Sequence, residues 1–401
     1  MTGMAWPETA LEARYEIQAG GSWIDITPDV RVGAGATISR GRPDEASATD
    51  PGSCEFELNN GISNCAPGVV GRYSPRNPLS DLYGLIGRNT PVRVSVRGPE
   101  TYLAIPAEPS TAVAASSPLP TPTGALDVRV ELSLDRLPGQ LPATNANPFI
   151  PEWTEIIGQY AHQTNQRSWY VSVSAAGGIS LRWSTDGTNT VGSVITGQVS
   201  SEALPYASGQ RFALRVTLAV SGGAWTVTAY HAPTMTGAWT LLGQVTGSGA
   251  GPYSTTIPIL IGHPVGTFAR GAGRYYAAEV RSGATVLAAP DFTVAAPGAT
   301  TVTDPQGTTW TPSGDTRFTD FYTRFVGEVS SWPPRWDVSE ADAWVPVQAA
   351  GILRRMQQGS KALESTLRRR IPSYSPLAYW PMEEQRGATQ AYSPIPGVQP
   401  M

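Results

Sequence analysis

Cysteine, lysine and histidine are scarce in this 401-residue chain, and charged residues make up 15% of it, against roughly 25% in an ordinary globular protein. Two cysteines, Cys54 and Cys65, are too few for a disulfide framework or a cysteine-based zinc site. In CEFEL, Cys54 shares a face with Phe56 and Leu58, so a buried thiol is expected. A Cys54–Cys65 bridge across a hairpin is the alternative, disfavoured in a reducing compartment. Lys361 is the single lysine among 28 basic residues, the rest being arginine, which reads as codon bias of a GC-rich genome. Net charge is −4 and RRR at 368–370 is the one polybasic tract, so nucleic acid is not expected as the main partner. No apolar run is long enough to span a bilayer. MTGMAWPETALEARYE has neither the basic nor the apolar region of a secretory signal, so synthesis in a cytoplasm without signal-directed export is expected.

Catalytic signatures are missing as well. There is no HExxH, GxSxG, P-loop or complete GxGxxG; GAGAT at 33–37 lacks the third glycine in register. His162, His231 and His263 are scattered without Ser or Asp partners nearby in sequence. No strand of the central region carries the closely spaced carboxylates of a glycan hydrolase. Asp186 in STDGTN reads as a hairpin turn, with calcium ligation the alternative, since the EF-hand pattern is missing. The expectation is a protein that is not an enzyme and calls for no cofactor or metal.

What the chain does have is turn formers and alternation. Gly (42) and Pro (36) punctuate runs of alternating β-branched and aromatic residues, and 12 Trp and 15 Tyr argue against disorder, so the fold class is mainly β. ARYEIQAGGSWIDITPDV reads as a hairpin about Gly20-Gly21. SCEFELNNGISN is a strand running into an Asn-Asn-Gly turn, and residues 66–90 read as an ordered loop. RNTPVRVSV sets Val92, Val94 and Val96 on one side and Arg93, Ser95 and Arg97 on the other.

That valine strand needs a neighbour, yet residues 104–123 are a Pro/Ser/Thr/Ala run that reads as a linker. Beyond it LDVRVELSL places Leu126, Val128, Val130, Leu132 and Leu134 on one face. RFALRVTLAV does the same with Phe212, Leu214, Val216 and Leu218. WYVSVS, ISLRWS and AWTVTAYH add strands, and many antiparallel strands with one wet face predict a sandwich or jelly roll over 104–298. Residues 299–316 read as a return linker. The valine strand's partner is then YTRFVGEVSSW, and the sandwich is a guest in the loop between them, which loop-closure entropy tolerates. VQAAGILRRMQQG reads as a short helix with Ile352, Leu353 and Met356 as its stripe and Gly359 as its stop; KALESTLRRR reads as a second helical turn.

Alternation also sorts the aromatic residues. Trp169, Trp183 and Trp225 fall on core faces, which leaves Tyr170, Tyr230 and His231 as candidate glycan contacts. In SSWPPRWD, Pro333 and Pro334 fix an extended turn and Arg335 lies between Trp332 and Trp336, suited to cation–π stacking. Two readings stand for these three residues: a subunit contact, or a rigid corner inside one domain.

The order of WIDITPDV, ISRGRPDE, CEFELNNG, GRYSPRNP and GRNTPVRV, then GEVSSWPPRWD and VPVQAAGILRRMQQG, resembles the minor tail proteins of actinobacteriophages, over roughly residues 14–98 and 317–380. The resemblance implies a structural virion protein: a hub-like β domain formed by 1–98 and 317–374 that assembles into a ring, trimeric by analogy, at the end of the tail tube. Its implied partners are copies of itself, the tail tube, distal tail and tape-measure proteins, and host surface glycans, with the virion tail tip as its location. The central region resembles concanavalin A-like, laminin-G-type jelly rolls, and SPLAYWPMEE from Ser375 resembles the start of another, so 375–401 is either an extended tail or an incomplete second one. A free lectin-like protein with β accessory modules is the alternative function; a wall-degrading enzyme ranks last, for want of an acid/base pair.

Overall fold

Alternation becomes almost entirely antiparallel sheet in the computed structural model, which describes residues 11–39, 51–107, 113–122, 124–137, 153–161, 163–174, 177–199, 204–262, 269–339, 342–357, 365–383 and 388–401. The chain divides into two units: 11–96 with 322–401, and 97–321.

The discontinuous unit begins with the expected hairpin. Ala13–Ala19 pairs with Ser22–Asp25, Ala19 opposite Ser22, and Gly20 and Gly21 take φ of 59° and 84°, the left-handed geometry a two-residue turn demands. Ala13–Ala19 also pairs with the valine strand, Ile17 opposite Val92 and Tyr15 opposite Val94. On its other side that strand, Pro91–Ile105, neighbours Arg317–Ser331; the Val329 N–H donates to Thr90 O at 2.9 Å and the Asn89 N–H to Val329 O at 2.8 Å. Then come Ala343–Ala350, Ser53–Asn59 and Thr37–Ser39. Ile17, Phe56, Leu58, Val92, Val94, Val329, Val345 and Val347 close one core. The chain leaves this unit at Val96 and returns at Tyr322.

Two expected elements differ here. Val347–Ala350 is not helix: Ala343–Ala350 is a strand, because Val345, Val347 and Ala349 fall opposite Leu58, Phe56 and Cys54 and bury on that face. The helix is reduced to Leu353–Gln357, and Ile352 and Leu353 of its expected stripe are exposed. Thr366–Arg370 is helical as read, capped by Ser365 Oγ accepting from the Arg368 N–H at 3.1 Å. Gly359, Lys361 and the Met356 side chain lie outside the described residues.

The second unit packs two antiparallel sheets face to face. One runs in the order Thr240–Ser248, Ala224–Ala232, Phe212–Ser221, Ala125–Leu134, Gly273–Ser282, followed by residues 97–105. The other runs Val194–Val199, Ile179–Ser184, Gln166–Ser174, Trp153–Ala161, Leu260–Ile261, Ala114–Ser116, Thr309–Pro312, Val302–Thr303. Their inner faces meet as the alternation requires: Leu126, Val128, Val130, Leu132, Phe212, Leu214 and Val216 against Trp169, Val171, Val173, Leu181 and Trp183. Trp183 meets Trp225 edge-on, ring centroids 5.2 Å apart. Truncating a buried ring of this kind costs about 3–5 kcal/mol.

Both expected linkers carry sheet. Residues 104 and 105 end a 15-residue strand, Ala114–Ser116 pairs with Leu260–Ile261, and Val302–Thr303 with Thr309–Pro312 extends the second sheet. Small Ala and Ser side chains show no alternation in sequence, yet they suit a strand buried tightly between neighbours: Ala114 is fully buried, and so is Trp310.

The outer face of the first sheet is also drier than expected. Asp127 and Glu131, which alternation sets on the face away from Leu126, Val128 and Val130, are 8% and 6% exposed. Long arginine stems lie across the strands and shield them. Arg129 Nη2 and Arg215 Nη2 reach Asp127 Oδ2 at 2.8 and 2.9 Å, Arg129 Nη1 reaches Glu279 at 3.1 Å, and Arg211 joins Glu131 at 2.6 Å and also pairs with Glu100.

Candidate functional site

The three glycan candidates occupy different places. Tyr170 lies in Gln166–Ser174, only 3% exposed, its ring edge-on to Tyr160 at 5.0 Å and its hydroxyl 3.5 Å from Arg182 Nη1. Tyr230 and His231 lie in Ala224–Ala232, in the other sheet, and as consecutive strand residues they point to opposite faces. Tyr230 carries the Arg215 guanidinium over its ring at 5.2 Å. His231 Nδ1 is 2.8 Å from the Tyr206 hydroxyl, and Tyr206 stacks on Phe212; burial moves the imidazole below its ordinary pKa. Tyr170 is thus separated from the other two, and no shared sugar platform joins the three. His162 and His263 lie outside the described residues.

Asp186 is spoken for locally. It accepts from Ser193 Oγ at 2.5 Å, from the N–H and Oγ1 of Thr188 at 2.8 Å each, and from Ser184 Oγ at 3.2 Å, which closes the loop after Ile179–Ser184. Those bonds, the Ser193 one foremost, hold its carboxyl down to about 2.

At the Pro-Pro corner the three candidates divide. Trp332 is an anchor of the discontinuous unit's core: 7% exposed, its indole N–H donates to Gly87 O at 2.8 Å, and its ring stacks parallel to Tyr73 at 6.2 Å. Arg335 and Trp336 are exposed and form a two-residue strand against Ala343–Trp344. The guanidinium over an indole at this corner is that of Arg31 on Trp344, at 5.2 Å; the segments concerned are three hundred residues apart, so no local motif announces it.

Behind Trp332, Tyr73 belongs to a buried polar network that orders the 61–90 loop. Its hydroxyl donates to Asp29 Oδ2 at 2.7 Å, Ser63 Oγ donates to the same oxygen at 2.6 Å, and the Asn64 N–H donates to Oδ1 at 2.5 Å. Burial alone would raise the Asp29 carboxyl, but these donors outweigh it and bring it below the ordinary value. Arg72 sits 3.7 Å from Asp29 and grips Asp81 at 2.8 Å. Both cysteines are free, so the alternative of a bridge falls; burial pushes the Cys54 thiol up to about 12 and Cys65 to about 11, and both stay protonated. Among the described residues no cluster of three metal-ligating side chains occurs.

No family model matches the sequence, and no curated protein matches it. Similar solved structures include domains LG4-5 of the mouse laminin α1 chain, 11% identical over 76% of this chain and 84% of that one, TM-score 0.31. Another is arcelin-5, a lectin-like defence protein of Phaseolus vulgaris, 9% identical over 76% and 99%, TM-score 0.17. The class of protein is given by the sheets themselves: a mainly β chain with one antiparallel sandwich set into the sequence of a second β unit.

Proposed function

We propose that this chain is a structural subunit of the tail tip of a long-tailed bacteriophage, in which residues 11–96 and 322–401 build a hub-like ring subunit and the sandwich is displayed toward host surface glycans. One observation carries the reading. The two stretches that resemble minor tail proteins, separated by more than two hundred residues, fold into a single unit, with Val329 hydrogen-bonded to Thr90 and Asn89. The chemistry favours assembly over catalysis: Asp29, Asp127, Glu131 and Glu328 are each engaged by hydroxyl, amide or guanidinium donors that hold the fold.

Light scattering on the purified full chain, with immunogold labelling of phage particles, tests this. A closed oligomer, trimeric by the analogy, and label at one end of the tail are expected. A monomer at all concentrations, absent from particles, contradicts the proposal. If that monomer bound glycans on an array, the protein would be a free lectin instead.

A further inference from the structure

The Pro-Pro corner borders a cleft of about 500 Å³ within the discontinuous unit, in the size range of functional binding pockets. Three chain segments line it: Ser74-Pro75-Arg76, Gly87-Arg88, and Ser330 to Trp332 with Pro334. Its walls are braced. Trp332 is tied to Gly87 O, Asn60 Nδ2 donates to Ser74 Oγ at 3.0 Å, and Arg354 Nη1 donates to Ser330 Oγ at 2.8 Å. Ser74 and Ser330 are thereby fixed as acceptors, with their hydroxyl protons left to donate elsewhere.

The electrostatics of the lining are one-sided. Arg76 and Arg88 are both exposed, and among the described residues neither has a carboxylate partner and no Asp or Glu lines the cleft. Arg72, Arg93, Arg129, Arg211, Arg215 and Arg355, by contrast, each pair with a carboxylate. The same lining includes the rigid rings of Pro75 and Pro334. Guanidinium forks and hydroxyl donors select carboxylates, and an apolar lining beside them suits the backbone and rings of an extended peptide.

We infer that this cleft is a docking site for an acidic, extended peptide segment of a partner protein, whose carboxylates are taken by Arg76 and Arg88 while its backbone lies against Pro75 and Pro334. The inference rests on the cleft alone and holds whether or not the chain belongs to a tail.

Fluorescence anisotropy with the labelled hexapeptide Glu-Pro-Glu-Pro-Glu-Pro and the intact protein tests it, with Lys-Pro-Lys-Pro-Lys-Pro as control. Saturable binding of the acidic peptide alone is expected, weakened by added salt and about tenfold in Arg76→Gln/Arg88→Gln. Both substitutions sit on the surface without ion-pair partners, so an unchanged melting curve verifies that the variant is folded. Arg335→Gln, outside the cleft, keeps full affinity. No binding, equal binding of the lysine peptide, or binding indifferent to the double substitution overturns the inference. Displacement by inorganic phosphate at concentrations equal to the peptide's also overturns it, reassigning the cleft to small anions.

Discussion

Asp127 shows how a single side chain can look wet in sequence and be structural in space. Alternation correctly puts it opposite Leu126 and Val128, but the arginines that cover it come from its own strand and from Phe212–Ser221, some ninety residues away. Burial raises its carboxyl, and hydrogen bonds from Arg129 and Arg215 more than reverse this, leaving the folded pKa below the unfolded value of about 3.9. A depressed carboxyl pKa adds stability above the unfolded value, and that stability is lost as pH falls through the folded one. Asp127→Asn should therefore cost about 2 kcal/mol at neutral pH, from two charge-assisted hydrogen bonds. In urea titrations its deficit should shrink toward zero as pH drops below about 3.9. A deficit constant across that range would mean the ion pairs contribute nothing. The tryptophans were legible for the same reason Asp127 was not: Trp169, Trp183 and Trp225 announce their face by periodicity, whereas an arginine lid depends on which strands become neighbours.

Elements were legible where side chains are large and alternate, and illegible where they are small. The Ala/Ser stretch at 114–116 carries no period, so a buried strand looks like linker; VQAA has helix formers, but its register against Phe56 and Leu58 decides for sheet. Small residues also mark close approach between elements. Gly158 lies opposite Tyr170, and a Cβ there would meet Tyr170 Cβ at 2.5 Å and Trp169 O at 2.9 Å, so the strands Trp153–Ala161 and Gln166–Ser174 could not keep their spacing. Gly158→Ala is expected to destabilise the protein by about 2 kcal/mol through overpacking, read as a lower urea midpoint. Gly21→Ala, with open space around its Cβ, tests strain alone, since its φ of 84° disfavours any side chain. A neutral Gly158→Ala would show that these strands can separate freely.

At the scale of the molecule, the sequence leaves a valine strand without a partner and resumes its character more than two hundred residues later. The sheet order answers with Arg317–Ser331 beside Pro91–Ile105, and everything proposed for the discontinuous unit, from its assembly to its cleft, depends on that adjacency. The cleft itself was not legible, because Arg76, Arg88 and Ser331 stand on loops and strand ends that no periodicity groups together.

Ser95 and Thr323 lie side by side in this unit, their hydroxyl oxygens 3.4 Å apart across 228 residues of sequence. The decisive measurement is peptide mapping of a Ser95→Cys/Thr323→Cys variant after mild oxidation, since a disulfide forms only when the two Cβ atoms come within about 4.5 Å. An intramolecular disulfide joining the two peptides in high yield is the expected result. Two thiols that stay reduced, or that link only between different molecules, would show that the segments on either side of the sandwich do not share a sheet.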